Sequence, residues 1–258
     1  MMQASGASDV GLKRDNNEDA WLAMELGDDQ ALLLVADGVG GRDAGELASS
    51  TTAEVFRQLA ESGKFKAAAK PEMSEMMLNM ATYKAHSKVS ALAAEADQAL
   101  SMSCTLTVAL VSGQRADIMQ VGDSRCYRYA EGGLEQITED QTVARQLFLD
   151  GRISEDKIAS HPDRGTLSQS IGLESTNHPF EPVFYRIELG PGDGLLLCSD
   201  GLTDRVAEDE LAEAIANAAA PDDALQALIQ LALDAGGHDN ITVVLALMPD
   251  ERDDESTG

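Results

Sequence analysis

At 258 residues, 43% of them hydrophobic, the chain is long enough for one large core and too apolar for a disordered protein. Its 19 Lys and Arg against 45 Asp and Glu leave a formal charge of -26, which repels phosphate backbones and argues against nucleic acid as a partner. No window nears the ~18 unbroken apolar residues of a membrane span, and the first residues lack the basic and apolar regions of a secretory signal, so a cytoplasmic protein is expected.

Residues 8–14 and 16–22 read as an opening strand, a polar loop and a second strand that re-enters the core at Trp21 and Leu22. The apolar run 31–36 reads as a buried strand. It leads straight into Val35-Ala36-Asp37-Gly38-Val39-Gly40-Gly41. Taken alone, Asp-Gly here fits an ordinary strand-to-helix turn. It also fits, less readily on this segment alone, a loop that presents a hard oxygen ligand while its glycines let the backbone approach an ion. Residues 44–59 carry Leu47, Ala48, Val55, Phe56 and Leu59 at the three-to-four spacing of an amphipathic helix. The basic stretch 64–70, closed by Pro71, reads as a connection. A long helix is expected over 73–97, with Met76, Met77 and Met80 filling irregular space against a sheet and His86 at the surface.

Residues 103–111 alternate with period two, and 116–121, 126–130 and 134–138 follow as strands, the last two flanking the hairpin signal Glu131-Gly132-Gly133. Residues 142–151 and 154–161 read as short helices, with Ser154 as an N-cap. Residues 162–177 are rich in turn formers and read as a mobile flap. Another antiparallel pair, 183–189 and 195–198, surrounds the turn that contains Asp193. Amphipathic helices over 208–220 and 222–235 and a last apolar strand over 241–247 precede an acidic tail, 249–258, expected to be disordered. Strands in hairpins and helices in pairs favour stacked antiparallel sheets with helices outside, over a doubly wound parallel sheet. Cys104, Cys126 and Cys198 each sit in an apolar run and read as small buried hydrophobes. No glycine-rich phosphate loop of the Walker or dinucleotide type is present.

Asp37, Asp123, Asp200 and Asp239 share one description: each lies in a Gly-containing turn at the edge of an expected strand. If the strands belong to sheets packed face to face, their ends can converge on one rim. Glu18 and Asp19 would bring the set to six carboxylates. Such a cluster repels itself, and divalent cations are the plausible remedy. Oxygen-only ligation selects Mg²⁺ or Mn²⁺ over zinc. Two such ions, ~3.5–4 Å apart, would hold a hydroxide for in-line attack on a phosphoryl group and invert the local sign of the surface. Arg14, four residues before Glu18, is the natural fork for phosphate oxygens.

The ordered set Arg14-x-x-x-Glu18-Asp19, Val35 to Gly41, Val121-Gly122-Asp123-Ser124-Arg125, Cys198-Ser199-Asp200-Gly201-Leu202 and Gly237-His238-Asp239-Asn240-Ile241-Thr242 resembles the metal-dependent serine/threonine protein phosphatases, type 2C or PPM, and their compact bacterial branch in particular. The match runs over 8–247. The resemblance implies an α+β fold, a four-layer α/β/β/α sandwich with two central antiparallel sheets flanked by helices. It implies one domain over 1–248 with a flap subdomain over about 141–177. Carried across, Asp37 would bridge two core Mn²⁺ or Mg²⁺ ions. Glu18 and the carbonyl of Gly38 would serve one ion with Asp19 in support, and Asp200 and Asp239 the other. Asp123, shared with Asp200, matches the position that binds a weaker third ion. Arg14 would hold the substrate phosphate, and Asn240 would support the ligands from behind.

Two positions depart from the pattern. Val39 stands where many eukaryotic relatives carry a histidine proposed as general acid, which leaves a metal-bound water to protonate the leaving serine oxygen. Gln141 stands where relatives often have histidine after Asp140, and no role is assigned to it. The implied activity is hydrolysis of phosphoserine and phosphothreonine on proteins by direct attack of a metal-bridging water, on the products of a serine/threonine kinase. The expected protein is a monomer that engages neither nucleic acid nor membrane. The competing reading is a catalytically silent relative that acts as a partner-binding module; the intact ligand set with Arg14 speaks against it.

Overall fold

Strands that are apolar throughout need cover on both faces, and strands that alternate need it on one. The computed structural model describes residues 2–27, 29–40, 42–68, 70–96, 102–173 and 179–249. In chain order, β1 (Gln3–Asp9), β2 (Ala20–Gly27), β3 (Gln30–Ala36) and β4 (Gly38–Val39) precede the helices α1 (Arg42–Glu61), α2 (Lys64–Ala67) and α3 (Pro71–Glu95). Next come β5 (Ser103–Cys104), β6 (Leu106–Ser112), β7 (Arg115–Val121), β8 (Arg125–Ala130), β9 (Gly133–Gln136) and α4 (Val143–Leu149). The chain closes with β10 (Val183–Glu188), β11 (Gly194–Cys198), α5 (Asp200–Thr203), α6 (Glu208–Ala216), α7 (Pro221–Asp234) and β12 (Ile241–Leu247).

Two five-stranded antiparallel sheets result, ordered β1-β12-β11-β8-β9 and β10-β7-β6-β3-β2. Their inner faces meet through Leu33, Val35, Ala109 and Ile118 on one side and Cys126, Leu195, Leu197 and Val244 on the other. Helices α1 and α3 cover the outer face of the second sheet over Leu32, Leu34, Val108 and Leu110. Helices α6 and α7 cover the first over Leu196, Val243 and Leu245. The fold is the α+β four-layer sandwich that the resemblance implies. β3 is buried along its whole length because it has a sheet on one face and helices on the other. The hairpin between β8 and β9 turns on Glu131 and Gly132 at φ 53° and 78°. Both centres at positive φ are what a two-residue loop needs to match strand twist. Among the described residues no helix is long and apolar enough to cross a membrane.

Several local expectations are corrected. The opening strand covers Gln3–Asp9 rather than 8–14: it is an edge strand aligned on β12, with Ser8 opposite Thr242, and the chain leaves it through Gly11 at φ 76°. The stretch after residue 63 is no bare connection, since α2 buries Phe65 against Phe56 with ring centroids 6.0 Å apart. His86 is buried rather than exposed, stacked on Phe180 at 3.8 Å with its Nδ1 accepting from the Gly172 N–H. Of the methionines, Met77 is buried while Met73, Met76 and Met80 stand exposed on the outer side of α3. Over 154–161 there is one 3-10 turn, Glu155–Lys157, and the Ser154 hydroxyl donates to Asp156 instead of capping it. Thr142 does cap, accepting from the Arg145 N–H at 3.3 Å. The three cysteines are free and buried, as expected. Parts of the expected flap (174–177) and tail (250–258) lie outside the described residues.

Asp193 is the turn residue expected, and it also ties two strands together. Its carboxylate accepts from the Gly190 N–H at 2.7 Å and from Arg128 at 2.6 and 3.0 Å. Asp193→Ala strands a part-buried guanidinium and an amide, at a cost of about 2 kcal/mol. Circular-dichroism melts should show Tm down by about 4–8 °C, with phosphate release at 25 °C unchanged.

Candidate active site

The strand register gathers the aspartates. β3 ends beside the start of β6, with Val35 opposite Thr107, and β7 ends beside it too, with Val121 opposite Leu106. Asp37 and the turn Gly122-Asp123 therefore leave the second sheet at one end. In the first sheet Cys198 lies opposite both Val243 and Arg125, which puts Asp200 and Asp239 at one end as well. Face-to-face packing superposes these ends. Asp37 is accordingly surrounded by Asp19, Asp200, Asp123 and Asp239.

Neutral side chains brace this rim. The Asp37 N–H donates to Thr105 Oγ1 at 2.9 Å, the Thr105 N–H returns a bond to Asp37 O at 2.8 Å, and Thr105 Oγ1 lies 2.6 Å from Ser124 Oγ. Asn240 accepts from the Glu18 N–H at 2.8 Å and donates to Val10 O and Asn16 O at 3.0 and 2.9 Å. It thus pins the 10–18 loop to the start of β12. Ser199 donates to Asp19 Oδ2 at 2.9 Å. Two glycines admit Glu18. A Cβ on Gly38 would lie 2.4 Å from Gly45 O and 2.5 Å from Glu18 O, and one on Gly45 would lie 2.0 Å from Glu18 Oε2. Arg14 donates to Asp239 Oδ2 at 2.6 Å and remains half exposed.

All the carboxylates expected at the site are thus brought together, with Arg14 beside them. Thr105, Ser199 and Gly45 were not foreseen. Only Ser199 had a signal, as a polar residue wedged between an apolar strand and Asp200. Val39 is exposed on β4 and offers no proton.

The electrostatics follow from crowding. Burial, and then Asp19, Asp200, Asp123 and Asp239, hold the Asp37 carboxyl well above the usual range. Burial, then Asp200 and Asp140, pushes Asp123 up to about 8. Burial, then Asp204 and Asp239, pushes Asp200 up to about 7. Burial raises Asp19 to about 6 against the hydrogen bond that Ser199 donates to it. Carboxyls in this state hold protons that a cation can displace.

The donor set suits a hard divalent cation. It is all oxygen, and Asp19 Oδ1 is buried with no hydrogen-bond partner, a costly condition unless something else engages it. Among the described residues no group of three or more His, Cys, Asp or Glu is drawn tightly enough to form a ready cage. The carboxylates lean instead on one another, on Arg14 and on Ser199. A groove of about 860 Å³ runs from Asp123 and Asp200 past Asp140 to Arg164 and Thr166. Arg125 at its floor is bound to Asp140 at 2.9 and 2.7 Å.

Residues 12–232 match the protein phosphatase 2C family model. Over 247 residues the chain is 36% identical to the serine/threonine protein phosphatase PstP of Mycobacterium tuberculosis H37Rv, covering 95% of this chain but 45% of that protein, so it spans less than half of that relative's length. It is 34% identical to the serine/threonine phosphatase stp of Listeria monocytogenes EGD-e over 95% of both chains. The catalytic domain of a PstP, solved in complex with two manganese ions, superposes with a TM-score of 0.78 at 32% identity, covering 96% of this chain and 99% of that one. With the sandwich, the carboxylate-bearing rim and these matches in agreement, the chain belongs to the protein phosphatase 2C family.

Proposed function

We propose that this chain is a metal-dependent protein phosphatase that hydrolyses phosphoserine and phosphothreonine on proteins, in opposition to a serine/threonine kinase. The observation that carries this reading is the meeting of Asp37 with Asp19, Asp123, Asp200 and Asp239 on one rim, beside a guanidinium. The manganese-bearing PstP domain supports Mn²⁺ as the cofactor, and Mg²⁺ is the other hard cation that an all-oxygen donor set would take. Asp37 would hold two core ions, with Glu18, Asp19 and Gly38 O toward one and Asp200 and Asp239 toward the other. Asp123 and Asp200 would take a third, weaker ion. Bound there, the cations would neutralise the carboxylates, polarise the phosphoryl oxygens and activate water for in-line attack.

The remaining work belongs to the chain's own residues. Arg14 sits at the exposed lip, where its fork can take two phosphate oxygens once Asp239 is engaged elsewhere. The groove beside Asp123 and Asp200 accepts the polypeptide that bears the ester. Val39 cannot protonate the leaving oxygen, so that proton comes from water.

Phosphate release from a phosphothreonine peptide should appear when chelator-treated protein is given Mn²⁺ or Mg²⁺, and vanish without them. No turnover with either ion would leave only the partner-binding module. Arg14→Ala should raise KM for the peptide about tenfold or more, the worth of a charge-assisted pair, while calorimetry still shows Mn²⁺ bound. Loss of the Mn²⁺ would mean that Arg14 serves the cations and not the phosphate.

A further inference from the structure

Gln141 stands at a junction. Its backbone N–H donates to Gly122 O at 2.9 Å, and its side-chain Oε1 accepts from the Gly122 N–H at 2.7 Å. One residue therefore holds both polar groups of Gly122. Its own carbonyl accepts from the Ser168 N–H at 2.8 Å. The Val143 N–H to Thr166 O bond, also 2.8 Å, continues the ladder across the bridge between Thr142 and Leu167. This ladder closes the base of the flap, so Gln141 joins flap and rim.

What it grips matters. Gly122 lies at φ 98°, and a Cβ there would come within 2.8 Å of Thr105 Cγ2, so only glycine fits this turn, and its permissive backbone relies on its hydrogen bonds to hold one conformation. The next residue is Asp123. Its neighbouring cation, Arg125, is committed to Asp140 and to the Tyr127 hydroxyl at 3.0 Å. The place of the Asp123 carboxylate is therefore set by the turn and not by an ion pair. Gly122 O has a second donor in Gln120 Nε2 at 3.1 Å, whereas the Gly122 N–H is held by Gln141 Oε1.

We propose that Gln141 is a positioning residue that fixes the Gly122–Asp123 turn for cation binding and ties it to the base of the flap. A neutral amide suits that role, because it accepts from the Gly122 N–H without adding charge to a crowded acidic rim. The proposal rests on the reading of Asp123 as a cation ligand. Groups that orient a ligand without touching the metal change affinity by about 10–100-fold when removed.

The test is Mn²⁺ titration by calorimetry on the wild type, Gln141→Met, Asp123→Asn and the double variant, with melts run in parallel. Gln141→Met keeps the length and the main-chain bonds but removes the acceptor. It should weaken the Asp123-dependent ion about tenfold, and add nothing in the Asp123→Asn background. Should Gln141→Met fold poorly, Gln141→Leu removes the same acceptor, also without adding charge, and should show the same roughly tenfold loss. Unchanged binding in Gln141→Met or in Gln141→Leu, or equal weakening with and without Asp123, overturns the proposal alone. A wild type that binds no Mn²⁺ overturns the phosphatase reading and takes this proposal with it.

Discussion

Asp37→Ala, or Asp200→Asn, should cut phosphate release by about a thousandfold or more at saturating Mn²⁺. Asp37 has Asp19, Asp200, Asp123 and Asp239 around it, so its loss removes the shared point on which both core ions would depend. Stability should move the other way. Without cations, Asp37 is a carboxyl buried among four others. Its removal relieves repulsion and desolvation, so the metal-free Asp37→Ala protein should melt no lower than wild type, and the advantage should disappear when Mn²⁺ is added. A merely structural aspartate would lose activity and stability together. Steady-state kinetics on a phosphothreonine peptide, beside melts with chelator and with Mn²⁺, separate the two cases.

In chelator, Tm should fall as pH rises from 5 to 8. Asp19, Asp200 and Asp123 are raised from 3.8 to about 6, about 7 and about 8, chiefly by burial. In that window the folded chain still binds protons that the unfolded chain has released. Their stabilising contribution is full below the unfolded value and is lost as pH climbs through the folded ones. Saturating Mn²⁺ should reverse the trend. At a hundredfold excess over Kd each site adds about 2.7 kcal/mol, or about 5–10 °C in Tm. Calorimetric scans at pH 5, 6.5 and 8, with and without Mn²⁺, would expose the error if the metal-free Tm rose with pH instead.

Much of this architecture depends on short-range chemistry and was legible in the residues. The run 31–36 is apolar because both its faces are covered, and Glu131-Gly132 turns because both residues sit at positive φ. Asp37, Asp123, Asp200 and Asp239 announced themselves by ending or beginning apolar strands in glycine-containing turns, and the rim gathers all four. β1 gave no such sign. Its residues, Gln-Ala-Ser-Gly-Ala-Ser-Asp, carry no apolar alternation. It is a strand because β12 lies alongside and because Gly6, where a Cβ would come 2.5 Å from Trp21, makes room for that ring.

Sequence by itself therefore determined the chemistry on offer: an acidic, oxygen-only set of donor side chains, a guanidinium and the layered fold that could bring them together. Only the tertiary structure decided which neutral groups hold that set in place. Thr105, Ser199 and Gln141, like Asn240, whose supporting place the resemblance implied, bond to partners remote in the chain, from 19 residues away for Gln141 and Gly122 to 230 for Asn240 and Val10. His86 defied its local pattern for the same reason, because its partners Gly172 and Phe180 come from a distant segment. Local pattern reports what a side chain can do; a hydrogen bond between remote segments exists only once the chain has folded to make it.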